Sequence, residues 1–298
     1  MNSSKHMKAL INELNAASKA YYETGRTIMD DAEFDIKLEQ LKELEGKTRI
    51  VLSNSPTHNV GYVIADKINK EKLDHPMLSL DKCHSVDEII SFLGGKRGCM
   101  SIKLDGNSIT ARYENGKLVG LHSRGNGTIG NDLMVHAASF KNLPLIIPIK
   151  GTFVVDGEAI ITKDDFENIN AKLPDDEKFA NSRNLVAGTL SLLDSKISAE
   201  RCLKFIAWNL IQADNITNDY VDNLLICKLQ GFDVVPGKRI AEELYNETDI
   251  QTELNTLRTL AQQYQYPMDG AVITFTNITY GKSLGRTEKF FRHSIAYK

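Results

Sequence analysis

The sequence predicts an α+β fold, with antiparallel sheets flanked by helices and a small helical subdomain at the N-terminus. Two helical stripes open the chain, and hairpin signals and apolar strands then alternate with further helices. Strands joined by tight turns favour antiparallel pairing, and helices set among such strands are typical of a layered α+β domain. We therefore divide the chain into a helical hairpin over residues 1–60 and a main domain over residues 61–298.

Composition limits the possible classes of protein. The chain has 298 residues, of which 42% are hydrophobic and 25% charged, and its formal net charge is -3. This composition is ordinary for a soluble globular protein, and the chain is long enough to form a sizeable core. Because the net charge is slightly negative, any contact with nucleic acid must use local basic patches. The four cysteines show no Cys-x-x-Cys spacing, which indicates reduced thiols and a cytoplasmic protein. No apolar run reaches about 18 residues and no signal-peptide pattern opens the chain, so we expect no membrane contact.

The first two elements form a helical hairpin. Apolar side chains recur at helical spacing over residues 8–24, which predicts the first helix. Asp30 precedes Glu33 with the spacing of a capping box and starts the second helix. From the residues alone, a packed surface module is the favoured interpretation of this hairpin over a binding element.

A β-hairpin and a glycine-rich loop follow in the main domain. Asn115 and Gly116 suit a type I′ turn between strands over residues 108–113 and 118–121. Residues 123–130 then combine three glycines with one arginine, which suits a loop pressed against an anionic or sugar ligand.

A second apolar strand, over residues 153–161, is interrupted by Asp156 and Glu158. A carboxylate in such a run is costly to bury unless it is paired or bound. From the residues alone, the first interpretation is therefore an edge-strand Glu158 that faces water. The other predicted elements are a short helix over 85–92, a helix starting at Thr162, a strand over 203–210, helices over about 219–230 and 248–264, and a strand over 268–275.

One lysine stands out among the candidate functional residues. Lys103 lies at the end of an apolar strand-like run, two residues before Asp105 and three before Gly106. An amine attacks only when neutral, so a nucleophilic lysine needs a lowered pKa, which neighbouring cations or desolvation provide. Taken alone, Lys-x-Asp-Gly is also compatible with an ordinary surface turn.

Several motifs recur in a fixed order: Lys103-Leu-Asp-Gly, Tyr113-Glu-Asn-Gly-Lys-Leu and Arg124-Gly-Asn-Gly-Thr. With them, the sequence resembles the adenylation domain of bacterial NAD-dependent DNA ligases from about residue 8 to its last residue. The resemblance implies a nucleotidyltransferase fold in which Lys103 attacks the α-phosphate of NAD, forms lysyl-AMP and releases nicotinamide mononucleotide. In a full ligase the adenylate then passes to the 5′-phosphate of nicked duplex DNA, with Mg²⁺ as the metal.

The resemblance also implies the residues that bind the cofactor. The helical hairpin would hold the nicotinamide mononucleotide half, because carboxylates can face the cationic ring while aromatics stack on it. The main domain would hold the adenylate. The implied cofactor contacts are Tyr21, Tyr22, Asp31, Asp35, Ser79, Leu80, Ser101, Asp105, Arg124, Glu158, Trp208, Thr274 and Lys298.

The resemblance implies two further roles, and Arg183 and Trp208 each have an alternative interpretation. Asp269 is implied as a possible Mg²⁺ ligand, and Arg183 as a phosphate or DNA contact, whereas a lone helix arginine is usually a solvated charge. Trp208, implied to stack on adenine, is also compatible with a core packing residue. In the hairpin, Phe34 stands where the family usually has Tyr, so one hydroxyl is missing.

Three positions depart from the family pattern. Ser101 replaces a Glu that reads the adenine edge, Thr274 replaces a Lys, and Ser191 replaces an Arg. Losing one phosphate-directed cation can cost about 3 kcal/mol of transition-state stabilisation. We therefore predict slower self-adenylation than in a typical member.

Two other functions compete with the ligase interpretation. A non-catalytic NAD- or adenylate-binding module would explain the three departures, and an ATP-using relative would share the fold. The helical hairpin favours NAD, because ATP has no nicotinamide half to hold. The sequence ends at the motif lysine, Lys298, without an oligonucleotide-binding, zinc, helix-hairpin-helix or BRCT segment. We expect a monomer that charges itself but does not seal a nick.

Overall fold

The computed structural model describes residues 3–24, 26–58, 67–240 and 246–298. The α-helices in these ranges are α1 Ser3–Thr24, α2 Asp31–Thr48, α3 Val86–Leu93, α4 Lys163–Asn170, α5 Ser182–Leu190, α6 Ser195–Glu200, α7 Tyr220–Leu229, α8 Glu247–Gln263 and α9 Ile278–Ser283. The strands are β1 Val51–Leu52, β2 Lys70–Lys72, β3 Ser79–Cys83, β4 Gly98–Leu104, β5 Asn107–Glu114, β6 Lys117–Ser123, β7 Ile129–Asn131, β8 Pro144–Ile146, β9 Thr152–Ile160, β10 Lys204–Gln212, β11 Asp233–Val234, β12 Gly237–Ile240, β13 Met268–Phe275 and β14 Phe290–Tyr297.

The described strands form two main sheets, and the predicted α+β class is confirmed. One sheet has seven strands in the order β1-β8-β6-β5-β9-β10-β11, the other has five in the order β12-β4-β13-β14-β3, and β2 pairs with β7 alone. Neighbours are antiparallel except for β10 with β11 and β14 with β3. Both parallel pairs lie at a sheet edge and join strands separated by long connections, which parallel pairing requires.

Local sequence signals explain two of the predicted elements. Asn115 and Gly116 both have positive φ, at 51° and 87°, as the type I′ turn between β5 and β6 requires. Asp30 accepts a hydrogen bond from the Glu33 backbone N at 2.8 Å and begins α2 as its N-cap. These predictions are confirmed, because a turn or a cap depends on residues within four positions of each other.

The helical hairpin of α1 and α2 is attached directly to the seven-stranded sheet. Its own core contains Met7, Leu10, Ile11, Leu14 and Leu41. The chain then adds β1 as an edge strand beside β8, and Lys8 Nζ donates to Asp233 Oδ1 on β11 at 2.6 Å. The hairpin is therefore fixed to the sheet at its base.

The two faces of the seven-stranded sheet differ in polarity. Side chains alternate along each strand, so one face of β5 and β9 carries the core residues Ile109, Tyr113 and Val155. The opposite face carries Ser108 on β5 and Glu158 on β9, which are partners in register. This polar face fronts the five-stranded sheet.

The chain crosses from one sheet to the other between β4 and β5. Gly106 lies at this crossing, and a Cβ there would sit 2.0 Å from the backbone oxygen of Ala159. Only glycine lets the two segments approach so closely. The end of β4, which carries Lys103, is thereby held at the junction of the two sheets.

Candidate active site

A cavity of about 960 Å³ lies between the two sheets. Its volume is at the upper end of the range of small-molecule sites, and its lining comes from both sheets and from the segments that cross between them. The predicted residues that line it are Ser79, Leu80, Ser101, Lys103, Arg124, Glu158, Arg183, Trp208, Asp269, Thr274 and Lys298. Most of the residues predicted to contact the adenylate therefore line one cavity.

Two lysines share one carboxylate in this cavity. Lys103 Nζ lies 2.9 Å from Asp269 Oδ2, and Lys298 Nζ lies 2.8 Å from the same oxygen. The sequence separates Lys103 and Asp269 by 166 residues. An irregularity in the pairing of β13 with β4 places Asp269 beside Lys103, and Gly270 within it has φ 125°.

The shared carboxylate leaves an excess of positive charge. Partial burial alone would raise the pKa of Asp269, but the hydrogen bonds from Lys298 and Lys103 hold that pKa below its ordinary value. One negative charge then faces two ammonium groups. Such a cluster at a cavity wall suits a ligand with anionic oxygens, such as a phosphate.

Glu158 lies on β9 in the middle of the seven-stranded sheet, between β5 and β10. The interpretation of Glu158 as an edge-strand residue facing water is therefore wrong. Ser108 Oγ donates to Glu158 Oε2 at 2.9 Å. Burial raises the pKa of Glu158 to about 7, against the lowering effects of the Ser108 hydrogen bond and the nearby Lys103 charge.

Glu158→Gln is expected to make stability less sensitive to pH. The folded carboxyl has its pKa near 7 and the unfolded one near 4.5, so the folded state binds more protons between these values. Wild-type stability then falls as pH rises through this window, by on the order of 3 kcal/mol, and the glutamine variant escapes the loss. Melting temperatures at pH 5 to 8 test this, with exposed Glu167→Gln as control. Parallel curves for wild type and Glu158→Gln would contradict it.

Trp208 is aimed into the cavity by a β-bulge. Ala207 pairs with Gly157 and Asn209 with Asp156, which leaves Trp208 as the extra residue of β10. Bulges re-aim side chains and occur often beside active sites. The half-buried indole lines the cavity, and the Trp208 carbonyl accepts from the Tyr220 hydroxyl at 2.7 Å. An aromatic face is thus available to a planar ring.

The three positions that depart from the family pattern, Ser101, Ser191 and Thr274, all line the cavity. Thr274 Oγ1 lies 2.9 Å from Ser294 Oγ, which lies 2.7 Å from His293 Nδ1. A neutral hydrogen-bonded network therefore occupies the wall where the resemblance implies a lysine. The predicted slow self-adenylation stays a prediction.

The glycine-rich loop is shaped by the chain itself. A Cβ at Gly125 would lie 1.9 Å from Ile129 O, and Gly127 has φ 97°. The backbone of residues 73–77 packs on this loop, with Leu73 N donating to Thr128 O and Met77 N to Gly127 O, each at 2.9 Å. The interpretation that the loop's glycines serve ligand approach is therefore incomplete, because turn geometry and this packing already require them. Arg124 at the start of the loop does line the cavity.

Asp105 and Arg183 contact each other at the rim of the cavity. Arg183 Nη1 lies 3.4 Å from Asp105 Oδ1, and the Arg183 side chain is 53% exposed. Asp105 does not line the cavity, whereas Arg183 does. The arginine is therefore open to an incoming anionic group, and the contact of Asp105 with the cofactor stays a prediction.

The structure does not bring the hairpin residues to the cavity. Tyr21 is 59% exposed, Asp31 and Asp35 are also exposed, and none of the three lines the cavity. The side chain of Tyr22 lies outside the described residues. Phe34 packs partly into the hairpin core. The role of these residues in binding nicotinamide mononucleotide stays a prediction.

Two further charged residues of the cavity were not predicted as site residues. His75 Nε2 lies 2.9 Å from each carboxylate oxygen of Asp156, and both residues line the cavity. The sequence did indicate that Asp156 needs a partner, because it interrupts an apolar strand. It gave no signal that the partner is His75, which lies 81 residues earlier.

Metal-ligand clusters and membrane-spanning helices are both absent from the described residues. No group of three or more His, Cys, Asp or Glu side chains there is arranged to hold a metal ion. No helix in those ranges combines the length and apolar character needed to cross a bilayer.

Two facing sheets, with a lysine at their junction and an aromatic and a carboxylate across the cleft, define a nucleotidyltransferase domain. The chain belongs to the NAD-dependent DNA ligase adenylation domain family, whose family model matches residues 65–298. A second model, described as the DNA ligase-like, N-terminal NAD+-binding domain, matches residues 1–61.

Curated relatives agree with this family. The chain is 42% identical over 288 residues to a DNA ligase of Lachnoclostridium phytofermentans, covering 96% of this chain and 43% of that protein. It is 40% identical over 295 residues to a DNA ligase of Ruminiclostridium cellulolyticum, covering 98% of this chain and 44% of that protein. The chain thus spans less than half the length of these relatives.

Proposed function

We propose that this chain carries out the first step of an NAD-dependent DNA ligase, the transfer of AMP from NAD to Lys103. The observation that carries the proposal is the Lys103–Asp269–Lys298 cluster at the junction of the two sheets. It combines a primary amine as nucleophile with a second cation for the phosphate. The family and the cavity's lining support the same assignment.

In the proposed step, Lys103 Nζ attacks the α-phosphorus of NAD. A nitrogen–phosphorus bond forms, the bond to the bridging oxygen breaks, and nicotinamide mononucleotide leaves with that oxygen. Lys103 has to lose a proton before attack, and Asp269 Oδ2 lies within hydrogen-bond distance to guide it out. Lys298 stabilises the charge that develops on the phosphate oxygens.

The cavity residues fit a nucleotide. Glu158 accepts from Ser108 and faces the cavity, so it can also accept from ribose hydroxyls. Trp208 offers a ring face to the base, and Arg124 adds positive charge at the wall. When bound, NAD supplies the phosphoanhydride bond that is broken, and the protein supplies the position and charge around it.

A magnesium ion would be held by few protein atoms. Mg²⁺ usually keeps several waters and binds one or two carboxylates together with substrate phosphates, so it does not need a protein cage. Asp269 is the carboxylate that we assign to it. The ion would lower the negative charge of the phosphates, in support of Lys298.

We assign the nicotinamide mononucleotide half to the helical hairpin, with Tyr21, Tyr22, Asp31 and Asp35 as its contacts. The family model of the N-terminal NAD+-binding domain supports this assignment. Because the described hairpin residues lie away from the cavity, binding would require the tip of the hairpin to approach it.

The later transfer of AMP to the 5′-phosphate of nicked DNA is proposed for the whole protein. The curated relatives are named DNA ligases, and this chain spans less than half of them. Arg183, half exposed at the rim, is the residue that we assign to the incoming DNA phosphate. We propose that the chain acts as a monomer in the cytoplasm.

Intact-mass spectrometry tests the proposal directly. After incubation with Mg²⁺ and NAD, the chain should gain the mass of one AMP and release nicotinamide mononucleotide, and ATP should give no gain. An Asp31→Ala/Asp35→Ala variant should label poorly with NAD while retaining AMP binding, because its cavity is intact. Labelling by ATP alone would overturn the choice of cofactor, and NAD binding without labelling would favour a non-catalytic module.

A further inference from the structure

The segment of residues 71–79, which we call the crossing segment, connects the two walls of the cavity. Three of its side chains contact three adjacent strands of the seven-stranded sheet. The contacts are Glu71 to His122 at 2.9 Å, Asp74 to Arg112 at 2.7 Å and His75 to Asp156 at 2.9 Å. At its other end, Ser79 begins β3, the edge strand of the five-stranded sheet, and Ser79 N donates to Lys289 O at 3.0 Å.

Burial separates the His75–Asp156 contact from the other two. The Asp156 side chain is 4% exposed and that of His75 16%, whereas Glu71 and Asp74 are more than half exposed. Exposed ion pairs contribute little to stability, but a buried carboxylate that loses its partner is left uncompensated. The His75–Asp156 pair is therefore the contact that fixes the segment.

Asp156 has no other side-chain hydrogen bond in the described part of the chain, and both of its oxygens face His75 Nε2. Burial by itself would lower the pKa of His75, but the hydrogen bond and charge of Asp156, with a contribution from Asp74, raise it. The buried Asp156 carboxyl thus has its hydrogen-bond partner in the His75 ring, which satisfies the requirement that a buried polar group be paired.

His75 lines the cavity, but its ring nitrogens are not placed to hydrogen-bond a ligand. Nε2 is occupied by Asp156, and Nδ1 is buried with no hydrogen-bond partner among the described residues. The polar part of the residue therefore acts through what it holds. On one side it holds Asp156, two residues from Glu158 on the same face of β9, and on the other it holds the backbone that leads to Ser79 and Leu80.

The backbone between His75 and the cavity wall has little freedom. Pro76 restricts the conformation of the residue before it. Met77 is buried, and its N donates to Gly127 O at 2.9 Å. A displacement of His75 is therefore transmitted to Ser79 and Leu80 rather than absorbed by a flexible loop.

We propose that His75 and Asp156 are a positioning pair that sets the distance between Glu158 on one wall of the cavity and Ser79 and Leu80 on the other. This proposal rests on the proposed function, because the separation between these two walls matters only if the cavity binds a nucleotide. Lys103, Asp269 and Lys298 lie on or beside β4, β13 and β14, and in the described part of the chain their side chains bond to one another and not to His75 or Asp156. Loss of the pair should therefore weaken nucleotide binding and leave the chemical step intact.

Three variants of His75 separate this role from a general loss of stability. A glutamine amide nitrogen takes the place of Nε2 and can still donate to Asp156, whereas that of asparagine takes the place of Nδ1 and cannot. His75→Ala and His75→Asn should raise the NAD concentration that half-saturates single-turnover labelling of Lys103 by about tenfold, with the maximal labelling rate within about twofold of wild type. His75→Gln should stay within about threefold of wild type on both. Asp74→Asn, which removes the exposed contact to Arg112, is the control and should match wild type.

Two readouts that do not depend on labelling accompany the kinetics. Hydrogen exchange at the Leu73 and Met77 amides, which bond to the glycine-rich loop, should speed up in His75→Ala and be restored in His75→Gln. The affinity for AMP, measured by calorimetry, should follow the same order. If wild type binds AMP without labelling, the proposed function fails while the positioning pair is still tested. An unchanged half-saturating NAD concentration, AMP affinity and exchange rate in His75→Ala would overturn the positioning pair, as would equal effects of His75→Gln and His75→Asn.

Discussion

Lys103→Ala should take up no AMP from NAD, a loss of about 10⁴-fold or more in the labelling rate, because the variant lacks the amine that forms the covalent bond. Lys103→Arg separates loss of the nucleophile from loss of the positive charge. Arginine keeps a positive charge beside Asp269 and should preserve the ion pair and the binding of nucleotide. Its guanidinium is not deprotonated in proteins and so cannot attack.

Lys298 provides the matched control for this prediction. Its amine lies 2.8 Å from the same oxygen of Asp269, so it shares the environment of Lys103. Lys298→Ala should still label at Lys103, about 10²- to 10³-fold more slowly, because only the stabilisation of phosphate charge is lost. Intact mass and peptide mapping distinguish the cases. AMP attached to Lys298, or to any residue of Lys103→Arg, would refute the assignment of the nucleophile.

Short-range features of this fold could be predicted from the sequence, and long-range ones could not. The Asn115-Gly116 turn and the Asp30 cap depend on local backbone geometry and follow the predicted pattern. The assignment of β4 and β5 to different sheets depends instead on the close packing at Gly106 against Ala159. No periodicity in the sequence carries that information.

The candidate site shows the same division. Lys103 could be singled out from its motif, but its contact with Asp269 arises from an irregular strand pairing across 166 residues. The bulge that aims Trp208 into the cavity is likewise set by pairing with β9. Glycines were the least reliable indicators of a ligand contact. Gly125 is required by the turn of its own loop, and a glycine required by a ligand would look the same in the sequence.

Asp269→Asn should slow labelling of Lys103 by NAD about 10²- to 10³-fold, because the variant loses the carboxylate that holds the Lys103 amine toward the cavity and guides its proton out. In wild type both amines bond to the one oxygen, Oδ2. With the negative charge removed, the two like charges repel and Lys103 loses the contact that holds its amine toward the cavity. The shape of the side chain is nearly unchanged, so the fold and the affinity for AMP should change much less than the rate.

Single-turnover labelling at saturating NAD measures this effect, with melting temperature recorded for each variant. Asp175→Asn removes another aspartate–lysine pair, that with Lys178 at 2.5 Å, on the surface and outside the cavity, and should leave the rate unchanged. The comparison of the two variants separates two roles of an aspartate–lysine ion pair. A surface pair adds little to either stability or chemistry. The pair at the sheet junction sets where the nucleophile points, and an Asp269→Asn rate within about threefold of wild type would show that Lys103 is positioned by something other than this carboxylate.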